Sequence, residues 1–236
     1  MNKKEISKLY RAHLLKSVGK SPSKTRIKEI ELLTKNLEKQ KNFSIKRLYD
    51  KEYSPFWKEI VAYENKSDEI ILFQRYIKPP QNGNMASLAS GIAIFEMFLA
   101  KKFVPMGRVY CVDFSKRMNE KARKFKKKLK IKNVSIITSS VSKTTLRKNS
   151  QNVVIARRTG LSKGNQWNRV LKEVNRILRK NSESRFVYTT VKDRYENKKK
   201  IKYLLNKAHL DLVDITSFKD RGGDIILMVI AKPIMK

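Results

Sequence analysis

The sequence is poor in cysteine, in acidic side chains and in long apolar runs. Its 236 residues include one cysteine, Cys111, so neither an internal disulfide nor a cysteine-bound metal cluster can form within the chain. The first residues lack an apolar signal segment, and a run such as Ile225–Ala231 is far shorter than the roughly 20 residues of a membrane helix. We therefore expect a cytoplasmic protein with no metal site and no membrane partner.

Acidic residues are outnumbered by basic ones, with 21 Asp and Glu against 55 Lys and Arg, and the formal net charge is +34. So large a charge works against the compact state, and an enzyme for small anions gains nothing from it. Hydrophobic residues make up 40% of the chain and aromatic ones 9%, which is enough for a core and excludes a disordered basic tail. The charge predicts a polyanion partner. On charge alone nucleic acid is the first candidate and an anionic membrane surface the second, and nucleic acid is the partner that we expect.

The charge is unevenly distributed along the chain. It is +9 over residues 1–50, −1 over 51–100, +14 over 101–150, +10 over 151–200 and +2 over the remainder. The basic stretches indicate where a polyanion would bind, whereas the near-neutral stretch contains the candidate ligand loop considered below.

The first 66 residues have the pattern of a separate helical region. Apolar residues recur at helical spacing over residues 6–15 and 27–37, with a break at Gly19-Lys-Ser-Pro. A third, less regular stretch holds aromatic residues that could stack on unpaired bases, although such a stripe is more typical of a core. We expect 1–66 to be a basic, nucleic-acid-binding helical region and 67–236 to be a second domain. The aromatic residues are Tyr49, Tyr53, Phe56 and Trp57.

After Pro80 short apolar strands alternate with helices, a pattern typical of βαβ units and a parallel sheet. The last two strands, Leu210–Phe218 and Asp224–Ala231, are joined by the turn-rich Lys219-Asp-Arg-Gly-Gly and predict an antiparallel hairpin. The other predicted strands are Met85–Ala89, Arg108–Val112, Val134–Thr138, Asn152–Ala156 and Arg185–Thr190, and the predicted helices are Ser67–Ile77, Ile94–Lys102, Ser115–Lys130, Gln166–Arg179 and Tyr195–Leu210.

A loop of small residues, Ser87-Leu-Ala-Ser-Gly-Ile-Ala, follows the first predicted strand. It allows a ligand to approach the backbone where a helix begins. Twenty-two residues after Gly91, Asp113 ends the second strand, where a carboxylate can accept hydrogen bonds from both hydroxyls of a ribose. The plain alternative is a tight turn with a capping aspartate. The spacing and the C-terminal hairpin together favour the ligand site.

With these features the chain resembles the class I S-adenosylmethionine-dependent methyltransferases over about residues 67–232. SLASGIAIFEMFLA is similar to that family's glycine-rich loop and following helix, and GRVYCVDFSKRMNEKARK is similar to its second motif. The resemblance implies a Rossmann-like α/β sheet of parallel strands closed by the hairpin, with a helical N-terminal extension, and S-adenosylmethionine as cofactor. It implies that Asp113 holds the ribose, that Phe114 flanks the adenine and that Ser140 contacts the adenine. The loop residues expected to bind the cofactor are Ala89, Ser90, Gly91 and Ala93.

Four residues depart from the family's pattern. The acidic residue that opens the first motif in the family is Ser87 here, and two of its glycines are Ala89 and Ala93. The acid that contacts the adenine is replaced by Ser140. Each replacement removes a contact without blocking the pocket, so loss of cofactor binding is an open alternative.

The sequence lacks the residues of two common methyl-transfer routes, so it identifies no catalytic residue. A covalent route to carbon 5 of a pyrimidine needs a cysteine beyond the fourth strand, whereas Cys111 lies in the second and is best read as a buried small residue. The Asn/Asp-Pro-Pro-aromatic loop used on exocyclic amino groups is replaced by Ala156-Arg-Arg-Thr-Gly. A nicotinamide dehydrogenase ranks lower, because its Gly-x-Gly-x-x-Gly loop is absent.

Basic residues around the predicted site are candidate RNA contacts. Arg157 and Arg158 follow the fourth strand and could clamp a phosphate, or could be ordinary loop residues. Lysines of the second helix would add phosphate contacts that depend on salt. The leading hypothesis is an S-adenosylmethionine-dependent methyltransferase of ribosomal or transfer RNA. The alternative is an inactive methyltransferase-like RNA-binding component of a ribonucleoprotein. The lysines are Lys124, Lys127 and Lys128.

Overall fold

The computed structural model describes residues 24–39, 66–77, 79–158, 165–192, 197–219 and 224–235. Helix α1 (Lys24–Lys39) lies in one compact unit of the chain, and all later elements lie in a second unit formed by Lys66–Lys219 and Asp224–Lys236. The aromatic residues between 49 and 57 that we considered for base stacking are outside the described residues. The basic helical region expected over 1–66 therefore stays a prediction.

The second unit alternates strands and helices after one leading helix, α2 (Lys66–Tyr76). Pro79 and Pro80 follow α2 and disfavour its continuation. The next elements are β1 (Asn84–Leu88), α3 (Ile94–Lys102), β2 (Arg108–Asp113), α4 (Lys116–Lys128), β3 (Val134–Thr138), β4 (Val153–Ala156), α5 (Asn165–Ile177), β5 (Arg185–Val191), α6 (Lys198–Lys207), β6 (Leu210–Lys219) and β7 (Ile225–Pro233).

Within the described residues, seven strands form one sheet in the order β3-β2-β1-β4-β5-β7-β6. Strands β1 to β5 pair in parallel, whereas β7 runs antiparallel to both β5 and β6. The outer strand β6 contains a bulge between Leu212 and Asp214. The predicted Rossmann-like sheet, parallel and closed by a C-terminal antiparallel hairpin, is confirmed.

Helices cover both faces of the sheet, which explains why its central strands are continuously apolar. Helices α2, α3 and α4 pack on one face, and α5 and α6 pack on the other. All four residues of β4 are buried. On the α5 face, the ring centroids of Trp167 and Tyr188 on β5 are 4.6 Å apart. A parallel strand with both faces covered needs this kind of sequence.

The largest difference between a predicted and an observed helix is at α6. The apolar pattern over Tyr195–Leu210 predicted a helix there, and α6 is Lys198–Lys207. The side chain of Asn197 accepts a hydrogen bond from the backbone N–H of Lys200 at 2.9 Å. This cap fixes the start of the helix, and Leu210 already belongs to β6.

The carboxyl ends of the five parallel strands meet at one end of the sheet, which we call the carboxyl end. The segments that follow β1, β2, β3 and β4 therefore lie at this end. The chain visits β2 and β3 on one side of β1, then crosses to β4 and β5 on the other side. Such a switch point is where open α/β sheets bind ligands.

Candidate functional site

The loop between β1 and α3, which we call the 89–93 loop, has left-handed backbone at alternate residues. The φ angle is 57° at Ala89, at Gly91 and at Ala93. Only glycine adopts this conformation without strain. These are the three glycine positions of the family's motif, so the backbone shape is retained although two of the glycines are replaced. Alanine is the smallest replacement available.

Hydrogen bonds attach this loop to the end of β2. The backbone N–H of Ser90 donates to the carbonyl of Val112 at 3.2 Å, and that of Gly91 donates to Oδ2 of Asp113 at 2.9 Å. Within the loop, the N–H of Ala93 donates to the carbonyl of Ser90 at 3.0 Å. The loop is thereby held in a defined shape next to the carboxylate.

Asp113 lies at the centre of these contacts and is 6% exposed. Its other oxygen, Oδ1, accepts a hydrogen bond from the N–H of Ser115 at 2.8 Å. A carboxylate oxygen can accept more than one hydrogen bond, so these contacts do not exclude a ligand hydroxyl. The structure thus turns the spacing of 22 residues between Gly91 and Asp113 into a direct contact. The ribose-binding role of Asp113 stays a prediction.

A buried carboxylate lies beneath the loop, on α3 rather than on β1. Ser87, where the family's pattern has an acid, donates a hydrogen bond through Oγ to Oε1 of Glu96 at 2.8 Å. Glu96 is the third residue of α3, near the positive end of the helix dipole. Both residues are buried. The acid missing at position 87 therefore has a neighbour that supplies a carboxylate.

The residues expected near the adenine lie at the carboxyl end of the sheet. Phe114 follows Asp113 directly and is half-buried. The N–H of Ser139 donates to the carbonyl of Asp113 at 3.1 Å, which brings the turn after β3 beside β2. Ser140 is exposed, and its hydroxyl lies 3.0 Å from that of Ser142. The adenine contacts of Phe114 and Ser140 stay predictions.

Arg157 takes part in a buried ion pair with helix α2. Its Nε and Nη2 donate to the two carboxylate oxygens of Glu69 at 2.7 and 2.6 Å. Glu69 is 0% exposed and Arg157 10%. The guanidinium also lies 3.8 Å from the ring centre of Phe95 on α3. This geometry gives Arg157 a structural role at the carboxyl end of the sheet, and its phosphate contact stays a prediction.

Arg158 has a left-handed backbone, with φ of 48°. Its N–H donates to Oγ1 of Thr189 on β5 at 3.0 Å, so β4 and β5 are joined beyond their paired residues. The conformation turns the chain at the end of β4. The phosphate contact of Arg158 stays a prediction.

The lysines expected to contact RNA, Lys124, Lys127 and Lys128, are exposed on α4. Helix α4 begins at the carboxyl end of the sheet with Lys116 and runs away from it. At a rise of about 1.5 Å per residue, Lys128 lies about 18 Å along the helix from Lys116. The structure therefore does not bring Lys127 and Lys128 next to the 89–93 loop.

Cys111 is fully buried in β2, opposite Ser87 in the strand register. Burial raises the pKa of its thiol well above the ordinary value, and the charge of Glu96 raises it further. The thiol is therefore protonated at neutral pH and does not act as a nucleophile.

The 89–93 loop fits a ligand that approaches its backbone. A Cβ placed at Gly91 would meet no atom within 4 Å, so the space in front of this residue is open. The hydroxyl oxygen of Ser90 is buried and has no hydrogen-bond partner in the part of the chain that the structure describes. A ligand hydroxyl, amine or carboxylate would satisfy it.

The sequence pattern pointed to neither Glu96 nor Glu69. A weak signal existed for Glu96, because an acid at the third position of a helix is typical of a capping interaction. Glu69 has no such signal, since its partner Arg157 is 88 residues away.

The strand order, the hairpin and the loop held by Asp113 define a Rossmann-like fold of the class I methyltransferase type. Residues 86–181 match the family model described as "Methyltransferase domain". This stretch of the chain therefore matches a methyltransferase domain, and it lies on a Rossmann-like fold of that type with an altered first motif. No curated protein matches the chain.

Solved structures share this fold at low sequence identity. An S-adenosylmethionine-dependent methyltransferase from Aquifex aeolicus matches with a TM-score of 0.60 and 15% identity, over 80% of this chain and 93% of that one. Geranyl diphosphate C-methyltransferase from Streptomyces coelicolor, solved with S-adenosyl-L-homocysteine, gives 0.61 and 13%, over 78% and 84%. The cyclase SpnF gives 0.62 and 10%, over 72% and 81%. At these identities the likeness shows the fold alone.

No helix among the described residues is both long enough and apolar enough to cross a membrane. The cytoplasmic location stays a prediction.

Proposed function

We propose that the chain is an S-adenosylmethionine-dependent methyltransferase that acts on RNA. The observation that carries the proposal is the contact between Gly91 N–H and the Asp113 carboxylate beneath a loop with three left-handed residues. The family match and the methyltransferases of the same fold support S-adenosylmethionine as the cofactor.

The residues at the carboxyl end of the sheet divide the work of holding this cofactor. Asp113 accepts hydrogen bonds from the ribose hydroxyls. Phe114 and Ser140 flank the adenine, and the hydroxyl of Ser90 contacts the cofactor at the open space in front of Gly91. The bound cofactor supplies an electrophilic methyl group. The role of the protein is then to hold the accepting atom in line with that methyl group, which needs orientation more than a catalytic side chain.

RNA is proposed as the substrate because of the charge. A net charge of +34 on a folded chain is best offset by a phosphodiester backbone. Exposed lysines such as Lys124, Lys127 and Lys128 offer phosphate contacts that carry no sequence information. Ribosomal and transfer RNA are the first substrates to test.

A second candidate is an inactive methyltransferase-like component of a ribonucleoprotein. The direct hydrogen bond between Ser87 and Glu96 favours it, because that carboxylate is engaged beneath the loop. The cyclase that shares the fold also shows that this architecture does not fix the reaction.

Calorimetry with S-adenosylmethionine and with its demethylated product separates the two candidates. The enzyme proposal predicts measurable heat and a thermal shift with both ligands. Absence of both signals at millimolar ligand would overturn the enzyme and leave the ribonucleoprotein component.

Asp113→Ala tests the site itself. We expect it to abolish cofactor binding and to leave RNA affinity nearly unchanged, whereas Asp211→Ala on β6 should change neither. Asp113→Asn retains an acceptor for the backbone N–H groups and serves if the alanine variant does not fold. Equal loss of cofactor and RNA binding would show that Asp113 is only structural.

A further inference from the structure

The side chain of Asn119 joins helix α4 to the ends of β2 and β3. Its Nδ2 donates hydrogen bonds to the backbone carbonyl of Asp113 and to Oγ1 of Thr138, both at 2.9 Å. A longer contact of 3.4 Å reaches the carbonyl of Ile137. Asp113 and Thr138 end their strands and pair with each other in the register of the sheet. We call these contacts the Asn119 clamp, because one amide ties the two strand ends together.

The clamp meets the turn after β3 at a single backbone oxygen. The carbonyl of Asp113 can only accept hydrogen bonds, so the NH₂ group of Asn119 must face it. The same carbonyl also accepts from the backbone N–H of Ser139 at 3.1 Å. This oxygen therefore holds both α4 and the turn that leads to Ser140.

Helix α4 does not need the side chain of Asn119 in order to begin. Ser115 caps the helix, since its Oγ accepts a hydrogen bond from the N–H of Met118 at 3.2 Å. The backbone N–H of Asn119 already donates to the carbonyl of Ser115 at 3.1 Å. Asparagine also has a lower helix propensity than leucine or alanine. The helix alone thus favours a different residue at this position.

The amide of Asn119 is incompletely satisfied. The residue is 0% exposed, and its Oδ1 has no hydrogen-bond partner in the part of the chain that the structure describes. An unpaired buried acceptor lowers stability. Met118 and Ala122, which share the buried face of α4, are apolar. A leucine of similar size would suit this face, so the stability of the fold does not explain an asparagine here.

Asn133 makes comparable contacts at the opposite end of the sheet. Its Nδ2 donates to the carbonyls of Ala100 and Val104, both at 2.9 Å. Asn133 directly precedes β3, so it lies at the amino end of the parallel strands. The 89–93 loop lies at their carboxyl end. Asn133 therefore offers a matched control, with the same side chain and the same donor atom away from the candidate site.

We propose that Asn119 is a positioning residue for the adenosine half of S-adenosylmethionine. The clamp sets the distance between the Asp113 carboxylate, assigned above to the ribose, and the turn with Ser140, assigned above to the adenine. Asn119 is fully buried, so it acts through the strand ends and not by touching the cofactor. This inference rests on the proposed methyltransferase function and adds a residue to its cofactor site.

Asn119→Leu is the first test, with affinity for S-adenosyl-L-homocysteine measured by calorimetry. We expect roughly tenfold weaker binding, because the two halves of the adenosine site lose their fixed spacing. The melting temperature should stay close to that of the wild type. The carbonyl of Asp113 keeps its bond from Ser139, the hydroxyl of Thr138 is exposed to water, and the unpaired Oδ1 is removed.

Asn133→Leu should give the opposite result. It removes two short hydrogen bonds to the carbonyls of Ala100 and Val104, so the melting temperature should fall. Affinity for S-adenosyl-L-homocysteine should equal that of the wild type. The pair of variants thus separates a loss of positioning from a loss of stability.

Thr138→Val tests the clamp without changing a buried residue. The substitution keeps the shape of an exposed side chain at the end of β3 and removes one acceptor of Asn119. We expect about threefold weaker binding at an unchanged melting temperature. The double variant with Asn119→Leu should bind no more weakly than Asn119→Leu alone, because both changes remove the same contact. Thr138→Val decides the question if Asn119→Leu does not fold.

A shorter ligand shows which half of the cofactor is affected. 5′-Methylthioadenosine contains the adenosine but lacks the amino-acid part. Asn119→Leu should weaken the binding of this compound and of S-adenosyl-L-homocysteine by the same factor. A loss of affinity for S-adenosyl-L-homocysteine alone would overturn the assignment to the adenosine half.

The remaining outcomes separate this inference from the proposed function. Wild-type protein that binds neither ligand would overturn the methyltransferase and the role of Asn119 with it. Wild-type binding that Asn119→Leu and Thr138→Val leave unchanged would overturn only the role of Asn119. Equal losses of affinity in Asn119→Leu and Asn133→Leu would do the same, since they would trace the effect to general stability.

Discussion

The hydroxyl of Ser87 donates a 2.8 Å hydrogen bond to Oε1 of Glu96, nine residues further along the chain. Ser87 belongs to β1 and Glu96 to the first turn of α3, so the bond joins the two elements that the 89–93 loop connects. Asp113 holds the same loop from β2. The loop is thereby fixed from both sides, which reduces the ordering that a ligand has to impose on it.

Removing the Ser87 hydroxyl should weaken this arrangement. We expect Ser87→Ala to lower the free energy of unfolding by about 1–3 kcal/mol, because Oε1 of Glu96 loses this donor in a buried site. Affinity for S-adenosylmethionine should fall as well. Urea unfolding and calorimetry measure the two effects. Glu96→Gln should lower both quantities as well, whereas the exposed Glu120→Gln on α4 should change neither stability nor affinity. If Ser87→Ala is as stable as the wild type, the hydrogen bond between Ser87 and Glu96 does not have this role.

Restoring glycine in the loop should have position-dependent effects. Ala89 is half-buried with φ of 57°, so Ala89→Gly relieves backbone strain and should stabilise the protein by up to about 1 kcal/mol. Ala93 has the same φ but is 1% exposed, and the loss of its buried methyl should bring Ala93→Gly close to neutral. Ala122→Gly, inside α4, should destabilise by about 1 kcal/mol or more. Urea unfolding measures these changes. If Ala89→Gly lowers the free energy of unfolding as much as Ala122→Gly does, the backbone at Ala89 is not strained.

The pair Glu69–Arg157 should be strongly coupled. Glu69→Gln leaves a nearly buried guanidinium without its carboxylate partner, and we expect a loss of about 3–5 kcal/mol. A double-mutant cycle with Arg157→Gln should give a coupling energy of about 1–3 kcal/mol, whereas a cycle of Glu69→Gln with the exposed Arg108→Gln should be additive. The RNA affinity of Arg157→Gln distinguishes the ion pair with Glu69 from the predicted phosphate contact. A loss of RNA affinity without a loss of stability would favour the phosphate contact.

Acid should weaken the protein through Glu173. Burial alone would raise the pKa of this carboxyl, but hydrogen bonds from Arg176 and Thr144 outweigh it and lower the pKa below its ordinary value of 4.5. A carboxyl whose pKa is lower in the folded than in the unfolded state stabilises the folded protein fully at pH values above its unfolded-state pKa. This contribution is lost as the pH falls through the folded-state pKa.

The comparison of wild type with Glu173→Gln measures this contribution. The stability difference should be full at pH 7 and should shrink as pH falls below 4.5. The exposed Glu183→Gln provides the control, with a small difference at every pH. A wild-type advantage over Glu173→Gln that grows on acidification would reverse the sign and exclude the mechanism.

The sequence predicted the fold well because strand and helix periodicities are local. The strands from β1 to β5 were located within a residue or two at each end, and Asn197 shortened one helix by acting as a cap inside the predicted pattern. The spacing of Gly91 and Asp113 also predicted their proximity, since successive parallel strands end side by side.

Contacts between distant residues could not be predicted in the same way. Glu69 and Arg157 carry no shared pattern, and only packing of α2 beside β4 brings them together. At position 87 the sequence shows only that the family's acidic residue is replaced by serine. It does not show that α3 brings the carboxylate of Glu96 back to this serine. Likewise, composition counts the cations of α4 but does not show which helix end meets the 89–93 loop.

The bulge between Leu212 and Asp214 bears on how copies of the protein behave at high concentration. An outer strand with unpaired backbone groups is a template for strand addition by a second chain. The bulge interrupts the regular register of β6, and Asp211, Asp214 and Lys219 place charge along it. At the other side of the sheet, β3 has only five residues. Both outer strands of the described sheet therefore carry features that oppose joining of sheets between copies.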